Sequence, residues 1–151
     1  MPEVSLPPLP AEAIELAADA ADWREAVRLV GAALVRSGSA LPAYADEMIR
    51  MIDEHGPYVV IAPGLALAHA RPGPAVVADG LAIVTLADPV DFGHPHNDPV
   101  RVVLGLAIAP GGDHLGAVAA LANVFNDSGS IDAIAAATSS DEVQRIMQDP
   151  S

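Results

Sequence analysis

GPYVVIAPGLALAHARPGP, residues Gly56 to Pro74, is the stretch around which the rest of the chain is organised. Tyr58 to Ala62 is a short β-rich run broken by Pro63 and Gly64, and Leu65 to His69 resumes an extended chain before Arg71, Pro72, Gly73 and Pro74. The strand therefore delivers one histidine, His69, between Ala68 and Ala70, where small neighbours leave its ring approachable by a large partner. Neutral imidazole is an adequate nucleophile near pH 7 and can hold a phosphoryl group reversibly. A histidine at a strand end can equally be structural, and the local sequence leaves both readings open.

Everything before this stretch reads as helix. Asp22 with Glu25 resembles a capping box, and Trp23, Ala26, Val27, Val30 and Leu34 form one apolar stripe that Ser37, Gly38 and Ser39 terminate. A second helix begins near Pro42, buries Tyr44, Met48, Met51 and Ile52, and ends at Gly56 and Pro57. Further upstream, Glu12 to Ala20 is helical by propensity, yet Ile14 and Leu16 alternate as in a short edge strand, which leaves both readings open with the strand favoured; Met1 to Pro10, with four prolines, is expected to be a loose extension.

Downstream, Leu81 to Leu86 and Val100 to Ala109 are near-continuous apolar runs bounded by Gly and Pro. Strands without alternation are buried on both faces, which implies a central sheet with helices on either side, an α/β or α+β sandwich. Asp113 is a good N-cap for a helix with Leu115, Val118, Leu121, Ala122 and Phe125 turned inward. Ser130 and Ser139 are expected to cap two shorter closing helices, the second with Val143, Ile146 and Met147 as its apolar face.

A chain of 151 residues is the size of one domain, and residues 11–151 are read as that domain. Twenty acidic residues against seven arginines and no lysine give a formal charge of −13, which argues against nucleic acid and against an anionic membrane surface. The same charge suits a partner with a basic face, or serves only solubility. Absence of cysteine excludes disulfides, thiolate metal sites and thiol nucleophiles. No apolar run approaches the roughly 18 residues that span a bilayer, and MPEVSLPPLP lacks the regions of a signal peptide, so a soluble, cytoplasmic protein is expected.

Four other histidines compete for attention. His114 falls in the first turn of the helix announced by GGDH, where free N–H groups and the helix dipole favour an anion, although it could simply face solvent. His94 and His96, in DFGHPHND with Asp91 and Asp98 nearby, raise the alternative of a metal-binding module; Pro95 lies between them and no third ligand follows at a recognised spacing. His55 reads as a residue complementing helix C-terminal carbonyls. No P-loop, dinucleotide fingerprint or GxSxG elbow occurs.

Taken in order, GPYVVIAPGLALAHARP, PVDFGHPHNDPVRVVLGLAIAP and GGDHLGAVAALANVF resemble the enzyme IIA components of the mannitol and fructose class of the bacterial sugar phosphotransferase system, with the nearest likeness to the ascorbate-specific type. The resemblance runs from about Ile14 to Met147 and implies a mixed sheet of about five strands covered by helices on both faces. It also implies a cytoplasmic phosphocarrier that takes a phosphoryl group from phospho-HPr and passes it to a cysteine on a IIB partner. IIB in turn phosphorylates sugar, ascorbate or pentitol-like, entering through a membrane IIC. By match to the family's motif, His69 is the acceptor and His114 stabilises the phosphoryl group; no cofactor or metal is implied.

Two departures stand out. Family members commonly have proline immediately before the active histidine, where this chain has Ala68, so the backbone approach to His69 is expected to be less constrained. Mannitol-type proteins carry an upstream arginine that is missing from Met51 to His55, and Arg71 is the residue that could supply charge instead. A regulatory protein of the same fold, switched by phosphorylation and moving no sugar, is the chief alternative. The aliphatic surface is compatible with a homodimer.

Overall fold

The computed structural model describes residues 6–126 and 128–148. A single 3₁₀ turn, Ala11–Ala13, leads into strand β1 (Ile14–Ala18), followed by helices α1 (Trp23–Arg36) and α2 (Ala43–His55). Strands β2 (Val60–Ala62), β3 (Leu65–His69), β4 (Gly80–Val90) and β5 (Val100–Ala107) follow, and then helices α3 (His114–Val124), α4 (Ser128–Ala135) and α5 (Ser140–Gln148). The strands form one mixed sheet in the order β1-β4-β5-β3-β2, in which β1 and β4 are parallel, as are β3 and β5, and the other two pairs are antiparallel.

Alternation along the central strands sorts side chains by size. Ala66, Ala68, Ala82, Val84 and Val103 face one core with Ala26, Val27, Val30 and Leu34 of α1 and Tyr44, Met48 and Ile52 of α2. Leu65, Leu67, Leu81, Ile83, Leu104 and Leu106 face a second core with Leu121, Ile131, Ile134, Val143 and Met147 from α3, α4 and α5. Small residues on the first face let α1 approach closely: a Cβ at Gly105 would stand 2.8 Å from Val30. Both faces are thus covered by helices, the layered arrangement expected from unbroken apolar strands.

Local signals explain most of the boundaries. The Asp22 carboxylate accepts from Glu25 N–H at 2.9 Å, and Glu25 returns a bond from Ala21 N–H at 3.2 Å, so α1 begins as a variant of the capping box. Gly56, at φ +86°, closes α2 by donating to Ile52 O at 2.8 Å, a conformation that favours glycine. Ser139 Oγ accepts from Glu142 N–H at 3.2 Å and caps α5.

Several expectations need correction. Of the extension, Met1–Ser5 lies outside the described residues, but Leu6 and Leu9 pack on the core and Pro8 O accepts from Leu81 N–H at 3.0 Å. Residues 6–10 are thus attached to the core rather than loose. β4 runs past Leu86 to Val90, because beyond the partnered end of β1 its edge is free and exposed Pro89 needs no ladder donor. At α3, Val118, Leu121 and Phe125 pack inward as expected, joined by Ala117 and Val124, while Ala122 is exposed and Leu115 is 82% exposed. That helix is apolar nearly all round, so its periodicity does not fix a face. Ser130 sits buried inside α4, which Ser128 opens two residues earlier; two serines in a row of small residues give no way to choose between them.

Candidate active site

His69 is the last residue of β3. Following Leu65 and Leu67 at the strand's period of two, it turns toward the α3 side of the sheet, opposite Leu106 in the parallel pairing with β5. From that side comes the start of α3, fixed by the Asp113 carboxylate accepting from Gly116 N–H at 2.9 Å. Strand end and helix start meet, with the His69 and His114 ring centroids 5.4 Å apart. Ligand sites outside the carboxyl ends of strands are the rule for such sheets.

One contact settles the chemistry of the His69 ring. Its Nδ1 lies 2.9 Å from Leu67 O, and a carbonyl can only accept, so Nδ1 carries the proton. In the neutral ring the lone pair is therefore on Nε2. Burial pulls the His69 pKa below its ordinary value; the Leu67 hydrogen bond acts in the opposite direction, and nearby His114 lowers it further. A neutral, singly tethered imidazole is the nucleophilic form.

The two rings open on a cleft of about 450 Å³ whose other walls are Met51 and His55 from α2, Tyr58, and Ala70 to Pro72. Tyr58 sets its ring edge-on to His69 at 6.0 Å and to His55 at 6.3 Å. Burial raises the Tyr58 pKa while Arg71 lowers it, which puts the guanidinium within electrostatic reach of the phenol. His55 is thus a wall of the cleft, and Gly56 N–H supplies the helix-closing bond that had been expected of His55.

An adjoining cavity of about 280 Å³ is lined by Glu47, Arg50, Glu54, His55 and Arg71 among others. Arg50 lies one residue before the segment that lacks an upstream arginine, and α2 carries it to this cavity. Arg24, Arg36 and Arg101 pair with Asp53, Glu15 and Asp132, whereas among the described residues neither Arg50 nor Arg71 is ion-paired. Arg71 therefore leaves unpaired positive charge in the cleft that His69 lines. Ala68, expected to leave the approach loose, is fully buried and paired with Gly105 inside the ladder, so the strand itself constrains His69.

His94 and His96 do not join this site. The Asp98 carboxylate accepts from Phe92, Gly93 and His94 N–H at 3.0, 2.7 and 2.9 Å, and His94 Nδ1 accepts from His96 and Asn97 N–H at 3.1 and 3.0 Å. Asp98 and His94 Nδ1 are thus used in folding the loop, and among the described residues no group of three metal-binding side chains is assembled. Tyr58, His55 and Met51 of the cleft, and Arg50 of the adjoining cavity, are the residues that sequence patterns missed. The signal for them was weak: a helix that ends at a glycine and leads into β2, antiparallel to the strand bearing His69, brings its last turn near the end of that strand.

A model of the family described as "Phosphoenolpyruvate-dependent sugar phosphotransferase system, EIIA 2" matches residues 8–149. The ascorbate-specific EIIA component of Escherichia coli strain K12 is 35% identical over 133 residues, covering 87% of this chain and 86% of that protein. The crystal structure of the mannitol IIA from Escherichia coli superposes with a TM-score of 0.81 at 29% identity, covering 93% of this chain and 99% of that one. In a complex of the E. coli mannitol IIA with its phosphorylated IIB, the matching chain reaches a TM-score of 0.83 at 28% identity, covering 93% of this chain and 97% of its own. The chain belongs to the EIIA 2 family and is a phosphotransfer component of the sugar phosphotransferase system.

Proposed function

We propose that His69 receives the phosphoryl group of phospho-HPr on Nε2 and passes it to a cysteine of a IIB partner in the cytoplasm. The observation that carries this reading is the 2.9 Å contact of Nδ1 with Leu67 O, which leaves the Nε2 lone pair on a ring lining the cleft. In the first step the Nε2 lone pair attacks phosphorus, an Nε2–P bond forms, and the nitrogen–phosphorus bond of the donor breaks with its electron pair returning to the donor ring. Nδ1–H stays on the Leu67 carbonyl throughout, so no proton has to leave His69. Transfer to IIB reverses these roles, with a thiolate sulfur forming the new bond to phosphorus.

In-line phosphoryl transfer asks the protein mainly for position and for positive charge near the equatorial oxygens. His114, the N-terminal end of the α3 dipole and Arg71 are assigned that work, with His114 5.4 Å from His69 between centroids. The 35% identity to ascorbate-specific components supports ascorbate or a related acid as the sugar served by the cognate IIB and IIC. The likeness to a IIA in complex with phosphorylated IIB supports IIB as the acceptor. The experiment is incubation with phosphoenolpyruvate, enzyme I and HPr. The native chain is expected to gain one acid-labile phosphate and His69→Ala none; labelling of His69→Ala to the native level overturns the assignment.

A further inference from the structure

The Tyr44 hydroxyl stands where the sheet's own backbone was due to make its next bond. The β3 and β5 register runs from Leu65 opposite Val102 to His69 opposite Leu106, and Val102 N–H donates to Gly64 O. Carried forward two residues at a time, that parallel pattern makes Ala70 N–H the next donor and Leu106 C=O its acceptor. Instead, Ala70 N–H donates to the Tyr44 hydroxyl at 3.0 Å, and the hydroxyl donates to Leu106 O at 2.7 Å. An α2 side chain has been threaded into the ladder at the residue that follows His69.

The link is sealed in the core. Tyr44 is 1% exposed, so neither solvent nor a partner reaches it, and burial pushes its pKa up to about 12, keeping the proton that bonds Leu106 in place. The hydroxyl supplies the acceptor and the donor that these two backbone groups would otherwise have to find in each other. Because α2 also carries Met51 and His55 into the cleft, one hydroxyl ties the end of β3, β5 and the α2 wall together.

We infer that Tyr44 is a positioning residue for phosphoryl transfer, fixing where β3 ends and therefore how the His69 ring meets His114. This rests on His69 being the phosphoryl acceptor, and it assigns Tyr44 no contact with the phosphoryl group. Tyr44→Phe removes one oxygen. With phospho-HPr as donor, the folded variant is expected to label on His69 with kcat lowered about tenfold and KM unchanged, since a small misplacement of a reacting group costs rate and not docking. Its His69 Nδ1–H resonance is expected to move as the contact with Leu67 O loosens.

A folded Tyr44→Phe protein with native kcat overturns the inference, as does a change in KM alone, whatever happens to its melting temperature. If the variant does not fold, amide exchange in the native protein decides: Ala70 N–H protected to the level of Leu104 supports the link, and exchange at the rate of an exposed turn overturns it. His69→Ala is run alongside. Label remaining on that control overturns the acceptor assignment itself, an outcome distinct from a Tyr44→Phe protein that labels at full speed on His69.

Discussion

The pairs His69 with His114 and His94 with His96 have similar spacing, 5.4 and 6.2 Å between ring centroids, and lie at opposite ends of the same strand. β3 starts at Leu65, next to Gly64, whose N–H donates to Asn97 O in the His94 loop, and it ends at His69. At the first end the Asp98 carboxylate serves three backbone amides, and the His94 lone pair, on Nδ1, serves two. At the second end one ring nitrogen is committed and the other is left for the cleft. Two histidine pairs of similar spacing thus differ in which nitrogens the backbone has already claimed.

The largest expected contrast is between single substitutions at the two ends. His69→Ala is expected to abolish labelling by phospho-HPr, and His94→Ala to leave its rate within about twofold, since docking and position at the cleft are untouched. Quantified phosphate incorporation checks this, and loss of labelling in His94→Ala would break the division. Next in size, His114→Ala is expected to remain phosphorylatable on His69 but about tenfold to a hundredfold slower in single-turnover rate, the cost of one donor facing developing charge.

Asp98→Ala should act on stability alone. Three amides lose a charged acceptor at a half-buried site, which costs about 2 kcal/mol and lowers the melting temperature by about 6 °C. Labelling at a temperature where the variant is folded should match the native protein. Scanning calorimetry and the labelling assay together separate the two effects, and slowed labelling in folded Asp98→Ala would mean the ends of β3 are coupled.

The smallest effect is in titration. Burial disfavours the His69 cation, so its folded pKa lies below the unfolded value. His69 should therefore remain nucleophilic as pH falls past 6.5, the ordinary histidine value. The associated stability is fully present above the unfolded pKa and is lost as pH falls through the folded one. Because His114 adds to the lowering, His114→Ala should raise the His69 midpoint, and an NMR titration that moves the other way would contradict the electrostatic coupling of the pair.

Much of this was legible in the residues. Unbroken apolar runs at Leu81 and Val100 announce a sheet covered on both faces, and Asp22, Gly56, Asp113 and Ser139 mark helix ends by chemistry that acts within a few residues. His69 and His114 stood out as candidates at a strand end and at a capped helix start; local context left each open, and it was the match to the family's motif that singled them out. What local pattern does not carry is orientation. Leu115 was read as inward on a helix with no polar face, and His55 as a cap rather than a cleft wall, because both depend on how α2 and α3 dock against the sheet. Arg50 and Tyr44 were out of reach for the same reason: the cavity that Arg50 lines and the ladder bond that Tyr44 intercepts exist only once helix and strand are brought together.

The most direct test of the central assignment is the position of the phosphate in the protein charged by phosphoenolpyruvate, enzyme I and HPr, read by peptide mapping and by phosphorus–nitrogen NMR coupling. The expected result is a single base-stable, acid-labile phosphate on Nε2 of His69, with Nδ1 still protonated. Phosphate on His114 or His94, or on Nδ1 of His69, would contradict it.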